Sequence, residues 1–358
     1  MSSVGPFVTQ FEEALKKETG ASYALAISSG TCALHLALVT VQVRPGDIVI
    51  IPSFTFIATA NAVRHCGAIP WIVDVSEKDW NLDATLLEKI LESDTFYKEG
   101  TLFHKATQRR VGAIVPVYAL GLPADMENID RLAKKYNLPV VVDAAAAIGA
   151  TYGNAKIGST NSDLIVFSFN GNKTITCGGG GAIVGHRQDL MERARHLSTT
   201  ARVGPDYDHD VVGYNYRMTN IEAAVGCAQL EQLETFIQRK KYIREFYNQH
   251  FKTIKNVTLF PQSQRYESSC WLSGIFLPEG RVKEVISFLR ENSIESRLFW
   301  KPIHQQAPYK DYPQTKQDVS ERIWDKILIL PSSSSITDNE LMYVKDTLMK
   351  YMESSYVP

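Results

Sequence analysis

The sequence predicts an α/β protein: a mostly parallel sheet with crossover helices through the first two-thirds, then a smaller α+β domain. Short apolar runs alternate with stretches of helical period from the N-terminus to Val184, the pattern of repeated βαβ units. The alternation gives way to a long amphipathic helix, Ile221 to His250, after which strands and helices become sparse. The chain has 358 residues, enough for roughly two domains at ~150 residues each. The expected division is 1–235 for the large domain and 236–358 for the small one.

Phe7, Phe11, Ala14 and Leu15 fall at helical spacing, and Gly20 stands where that helix would stop. Tyr23 to Ile27 reads as a short strand. Ser28-Ser29-Gly30-Thr31 turns it into a helix, Cys32 to Val41, with Leu34, Leu38 and Val41 on one face. Strand, small turn and helix in that order aim free N–H groups and a positive dipole end outward, as a phosphate site requires. Plain N-capping explains the same residues equally well. Ile48 to Ile51 is a buried-type strand, followed by Pro52-Ser53-Phe54-Thr55-Phe56, a helix from Ile57 to Cys66 and a strand from Ile69 to Val73. The aromatics after Pro52 either stack on a bound ring or belong to the core. Leu82 to Leu91 is helical, and the polar stretch Ser93 to Arg110 reads as an exposed excursion. Val111 to Val117 is the next strand and Asp125 to Tyr136 the next helix.

Pro139-Val140-Val141-Val142 is a continuous apolar strand ended by Asp143 and four alanines. A carboxylate at the carboxyl end of a buried parallel strand sits where open α/β sheets place ligands. It is either an N-cap for the next turn or the partner of a protonated ring nitrogen. Apolar runs Leu164 to Phe167 and Ala182 to Val184 flank the stretch Ser168 to Cys177 and the glycines Gly178 to Gly181, with Lys173 between them. A lysine walled by apolar residues and close to other cations is partly a free amine near neutral pH. Such an amine bonds covalently to an aldehyde cofactor, and the glycines leave room for a flat ring. A solvated lysine in a glycine-rich hairpin is the alternative. Asp189 to His196 is helical and Thr199 to Tyr214 a polar loop. The last third holds a strand from Trp271 to Leu277, a helix from Gly280 to Asn292, a loop from Ser296 to Tyr312, a strand from Ile327 to Leu330 and a helix from Asp338 to Tyr351.

Lys+Arg number 38 against 39 Asp+Glu, so the net charge of −1 gives no global pull toward nucleic acid or an anionic membrane. No apolar run approaches the ~18 residues of a membrane span. The five cysteines are scattered, without the spacing of metal ligands, and read as free thiols in a reducing compartment, so no metal is expected. Met1-Ser2-Ser3-Val4-Gly5-Pro6 has neither the basic start nor the apolar centre of a signal peptide, so the expected location is cytoplasmic.

A phosphate turn, a stacking aromatic, a strand-end Asp and a Ser five residues before a Lys occur in an order that resembles the fold-type I pyridoxal-phosphate enzymes. Ser29-Gly30-Thr31, Pro52 to Phe56, Val142-Asp143-Ala144-Ala145, Ser168-Phe169 through Lys173, and Gly213-Tyr214-Asn215-Tyr216-Arg217-Met218 narrow the resemblance to the nucleotide-sugar aminotransferases of the DegT/DnrJ/EryC1 family. It covers nearly the whole chain. The wording from Ser168 to Lys173, and the segment Arg297 to Tyr309 with Trp300-Lys301-Pro302 and His304, is similar to its legionaminic-acid or bacillosamine branch, members of which aminate C4 of a UDP-4-keto-6-deoxy-N-acetylhexosamine.

The resemblance implies a seven-stranded, mostly parallel sheet, pyridoxal 5′-phosphate as cofactor, and ping-pong transfer from L-glutamate to a UDP-keto-sugar. It implies that Lys173 carries the cofactor and moves the proton, and that Asp143 keeps the pyridine nitrogen protonated. Phe56 would stack on the ring, and Gly30, Thr31 and Ser168 would bind the phosphate. Where the family usually has a Gln contacting the cofactor, this chain has Ala146, which implies looser cofactor hold or a changed reaction preference. Asn215 would reach the phosphate of the partner subunit, making a homodimer with shared active sites. Arg297 and His304 are candidates near the sugar nucleotide; ordinary surface residues of the small domain are the other reading of both. Family chains begin before the segment matching Ser2-Ser3-Val4-Gly5, so either a misplaced start or a more open sugar pocket is expected.

Other readings are weaker. Keto-sugar dehydratases of this fold carry His at the position of Lys173. A regulator or binding protein that has lost catalysis is favoured by Ala146 and the short N-terminus and opposed by Lys173 and Asp143. A nicotinamide-dependent dehydrogenase needs Gly-x-Gly-x-x-Gly after the first strand, which Ser28 to Thr31 does not supply.

Overall fold

In the computed structural model, which describes residues 5–355, helix α1 (Pro6–Thr19) opens on a proline whose missing N–H costs nothing in a first turn. It ends at Gly20, left-handed at φ 77°. The expectation attached to Ser2-Ser3-Val4 lies outside the described residues. Strand β1 (Tyr23–Ile27) leads to α2 (Gly30–Thr40), capped by Ser29, whose hydroxyl accepts from the Cys32 N–H. Then come β2 (Ile48–Pro52), α3 (Ile57–His65), β3 (Ile69–Val73) and α4 (Ala84–Ser93).

The stretch expected as an exposed excursion is instead a hairpin, β4 (Thr95–Lys98) and β5 (Thr101–His104), which runs on into β6 (Arg109–Ile114). Its turn residues Glu99 and Gly100 both have positive φ, and Leu102 and His104 alternate inward, with His104 4.3 Å from the Trp71 ring. So short an alternation is hard to read among charged neighbours. Helix α5 (Met126–Tyr136), β7 (Val141–Asp143), the small hairpin β8 (Thr151–Tyr152) and β9 (Ala155–Lys156), β10 (Leu164–Ser168), β11 (Gly181–Gly185) and α6 (Gln188–Ser198) complete the first part.

Among the described residues, seven strands build the central sheet, in the order β1-β11-β10-β7-β6-β2-β3. Strand β2 pairs parallel with β3 and β6, and β7 pairs parallel with β10. Parallel bridges Ile114–Val140 and Val117–Asp143 join the two halves. Only β11 runs the other way, antiparallel to both β1 and β10. The segment from β10 to β11 holds no helix, and without a crossover a strand returns antiparallel. Side chains of β2 alternate between two cores: Ile48 and Ile50 pack with Phe11, Leu15 and Leu132, while Val49 and Ile51 pack with Leu34, Val63 and Leu190. Helices therefore cover both faces, which is why the strands read as unbroken apolar runs.

The loop expected from Thr199 to Tyr214 contains two short paired strands, β12 (Arg202–Val203) and β13 (Asp208–His209). The single helix expected from Ile221 is two: α7 (Asn220–Glu231), opened by a Thr219–Glu222 capping box, and α8 (Leu233–Phe251), with a break at Gln232. Next are β14 (Thr258–Leu259), β15 (Tyr266–Glu267), β16 (Ser273–Phe276), α9 (Val282–Glu291), β17 (Arg297–Leu298), α10 (Asp318–Ile323), β18 (Ile327–Leu330) and α11 (Asp338–Ser355). Strands β14, β16, β18 and β17 form an antiparallel sheet whose own core includes Tyr247, Phe251, Ile275, Leu289 and Leu348. The division expected at 235/236 falls within α8: Leu233 and Ile237 join the core of the large sheet, while Ile243, Tyr247 and Phe251 join the smaller core. No helix among the described residues is long and apolar enough to cross a membrane.

Candidate active site

The turn after β1 and the carboxyl ends of β2, β7 and β10 open on one cavity of about 450 Å³. This is where strand ends and helix starts of an open α/β sheet converge. The structure brings Gly30, Thr31, Phe56, Asp143, Ala146, Ser168, Lys173 and Arg297 to its wall.

Lys173 is set by its loop. Its N–H donates to Asn170 O at 2.9 Å, and Cys177 N–H donates to Phe169 O at 2.9 Å, folding the segment back toward β11. The lysine is partly exposed along the cavity, but its amine end is enclosed, and that burial pulls its pKa down to about 8. The neighbouring cation expected from the sequence plays no part: the charge that acts on Lys173 is Asp143, which opposes the shift. Nζ stands 3.9 Å from the centre of the Trp271 ring, whose Nε1 donates to Asn172 O at 2.8 Å.

Asp143 is buried at the end of β7. Its Oδ2 accepts from Thr59 Oγ1 at 2.7 Å, and its Oδ1 accepts from the Ala145 N–H at 3.1 Å. Thr59 Oγ1 is itself 2.7 Å from Thr55 Oγ1. Burial raises the carboxyl pKa despite these bonds and the pull of Lys173. A buried carboxylate with so little compensation favours a cationic partner.

The phosphate turn is tight. A side chain on Gly30 would put its Cβ 2.8 Å from Ser168 Cβ, so only glycine lets the start of α2 and the end of β10 approach. The two aromatics after β2 separate: Phe54 is fully buried and edge-on to Phe299 at 4.8 Å, whereas Phe56 is 55% exposed and faces the cavity. Phe56 lies 6.1 Å from Trp300, and Trp300 lies 5.9 Å from Trp271, giving the cavity an aromatic side. Ala146 is buried in the wall, with its carbonyl accepting from Ser269 Oγ at 2.9 Å.

Two expected residues lie elsewhere. Asn215 is exposed and outside the cavity of its own chain, bridged to Thr199. His304 stands behind the wall, buried, with Nδ1 2.6 Å from Ser53 Oγ and Nε2 3.2 Å from Glu321 Oε1. Ile303 N–H donates to Ser53 O at 2.8 Å, which draws this short turn against the end of β2, and His304 does not line the cavity. Neither Thr59 nor Trp271 stood out in the sequence as a site residue. Thr59 reads as one more small residue of a helix, and Trp271 as the opening of a strand.

The donor set fits pyridoxal phosphate. One cavity holds an enclosed amine and a buried carboxylate, the hydroxyls of Ser29, Thr31 and Ser168 beside the start of α2, and a flat Phe56 surface. The small residues Ala145, Ala146, Gly179 and Gly180 leave the space between them open.

Residues 1–349 match the DegT/DnrJ/EryC1/StrS aminotransferase family. GDP-perosamine synthase of Escherichia coli O157:H7 is 34% identical over 353 residues, which cover 98% of this chain and 92% of that protein. UDP-4-amino-4,6-dideoxy-N-acetyl-beta-L-altrosamine transaminase of Campylobacter jejuni subsp. jejuni serotype O:2 is 31% identical over 356 residues, covering 98% of this chain and 90% of that protein. The crystal structure of a DegT DnrJ EryC1 StrS aminotransferase from Brucella abortus superposes with a TM-score of 0.90 at 28% identity, covering 98% of this chain and 91% of that one. The chain belongs to the DegT/DnrJ/EryC1/StrS aminotransferase family, and its cofactor is pyridoxal 5′-phosphate.

Proposed function

We propose that this aminotransferase moves an amino group from L-glutamate to C4 of a nucleotide-linked 4-keto-6-deoxyhexose. The observation that carries the reading is the pairing of Lys173 and Asp143 on one cavity, each with its ionisation altered by burial. Bound there, pyridoxal phosphate supplies an electron sink and a carrier for the amino group.

Lys173 would hold the cofactor covalently, and its amine, near pKa 8, would then take a proton and return it without a large mismatch at neutral pH. Asp143, kept in place by Thr59 and the Ala145 N–H, would hold a proton at the ring nitrogen. Phe56 would cover a ring face, while Gly30, Thr31 and Ser168 would take the phosphate. Asn215 would complete the phosphate site of a second copy. Val203, Tyr207, Val211 and Val212 around the β12–β13 hairpin, and Ile221 on α7, are exposed apolar residues near it in sequence, which suits a homodimer face.

The motif wording supports a UDP-linked N-acetylhexosamine as acceptor. A GDP-linked sugar is the second reading, favoured by the 34% identity to a GDP-perosamine synthase. Purified holoenzyme with L-glutamate and a panel of UDP-, dTDP- and GDP-4-keto sugars tests both. Amination of one nucleotide class assigns the acceptor; no amination of any of them removes the function proposed.

A further inference from the structure

Lys173 also lines a second space, of about 530 Å³, which adjoins the active-site cavity and shares with it Asn172, Trp271, Leu272 and Arg297. Apart from Gly171, the rest of its wall comes from the C-terminal third, including Lys240 of α8, Ser296, and the serines that follow β18. Polar groups there are left incompletely satisfied. Lys240 is only 6% exposed, and its Nζ donates to Trp271 O at 3.1 Å and Ser332 O at 2.9 Å. An ammonium has a third N–H, and no carboxylate pairs with this one among the described residues. Burial lowers its pKa to about 8, so it remains mostly charged at neutral pH. The Ser296 hydroxyl is buried without a hydrogen-bond partner, which folded proteins ordinarily avoid. Arg297 borders both spaces, is exposed, and has no ion-pair partner among the described residues. Two carboxylates also border this chamber: Glu295 is exposed, and Glu340 is engaged by the N–H and hydroxyl of Thr337.

A transaminase brings two unlike molecules to one reacting atom. Two spaces that meet at Lys173 offer each its own place. We propose that the second chamber receives the carboxylate end of the amino donor, a small dicarboxylic 2-amino acid, with Lys240 and Arg297 as its cationic contacts and Ser296 as a hydroxyl donor. This rests on the transaminase reading, and it moves Arg297 from the sugar nucleotide to the donor.

The test uses glutarate, an unreactive dicarboxylate, titrated by calorimetry into holoenzyme of the wild type, Lys240→Met and Ser296→Ala. Charge-assisted bonds to a carboxylate are the stronger class, so Lys240→Met should weaken glutarate by about tenfold or more, and Ser296→Ala, which loses a neutral donor, by about threefold. Affinity for UDP or GDP should stay within about twofold of the wild type. Glutarate affinity unchanged in both variants overturns the proposal, as does a loss confined to the nucleotide, which would put a diphosphate in the chamber. Should Lys240→Met fail to fold, Ser296→Ala decides alone, since it removes an orphaned oxygen without burying anything new. Failure of the underlying reading looks different: wild-type holoenzyme would then keep its visible cofactor absorption when L-glutamate is added.

Discussion

The amine of Lys173 rests 3.9 Å from the centre of the Trp271 ring, on a residue whose own indole N–H is tied to the neighbouring Asn172 carbonyl. The two act on the amine in opposite senses. An aromatic face favours the ammonium, while the enclosure to which Trp271 contributes favours the free base.

Burial pulls the Lys173 pKa down to about 8 against the opposing charge of Asp143. Trp271→Ala should therefore raise the pH midpoint for cofactor capture by about one pH unit. The rate at which the visible absorption of the lysine-bound cofactor appears, followed from pH 6 to pH 10, measures it. A midpoint that moves downward would make the ring's attraction for charge the dominant effect.

The cofactor-free protein should show the same burial as stability. A Lys whose folded pKa lies below its unfolded value of ~10.4 binds fewer protons when folded. Stability then rises with pH between about 8 and ~10.4, and the cost of the buried charge is fully present below about 8. Lys173→Met should raise the melting temperature of cofactor-free protein at pH 7 by a few degrees, and the gain should shrink toward pH 10. Calorimetry at several pH values checks this; a gain independent of pH would point to packing instead.

Asp143→Asn should lower turnover by more than about a hundredfold, the range of acid–base contributions, because a neutral amide cannot keep the ring nitrogen protonated. Thr59→Val, which removes the 2.7 Å bond to Asp143 Oδ2, should lower it by about tenfold and raise the carboxyl pKa further. Turnover against pH separates them: the Thr59 variant should keep a displaced profile, and near-normal turnover of the Asn variant would refute the role of Asp143.

Ala146→Gln should tighten pyridoxal phosphate by about tenfold, the scale of one or two added hydrogen bonds. The position is on the cavity wall and its backbone is already fixed through Ser269. Equilibrium dialysis of the cofactor measures the change. An unaltered affinity would show that the alanine is neutral.

Much of this arrangement was legible in the residues. Strands buried on both faces announce themselves as unbroken apolar runs, and Asp143 and Lys173 stand out because a charge beside such a run needs a reason. Other features arise only in three dimensions. Phe54 and Phe56 are two positions apart and chemically alike, and only the packing of Phe299 on one of them tells core from cavity. The break at Gln232 carries neither Gly nor Pro, so helical periodicity runs through it unmarked. His304 and Arg297 share one segment, yet the first is buried against Ser53 and Glu321 while the second borders the cavity. Trp271 reaches Lys173 from a distant part of the chain, and nothing local marks it.

The antiparallel strand of the central sheet, β11, also sets a timetable. Among the described residues, Tyr23–Ile27 pairs with Gly181–Gly185 and, through Ile27, with Arg217, so on a ribosome the first strand waits for the lysine segment to emerge. At about 5–20 residues per second that interval is roughly eight to thirty seconds. Through it, an apolar edge made early in synthesis has no native neighbour, and a nascent chain stalled before Gly181 should engage holding chaperones that one stalled well beyond Gly185 releases.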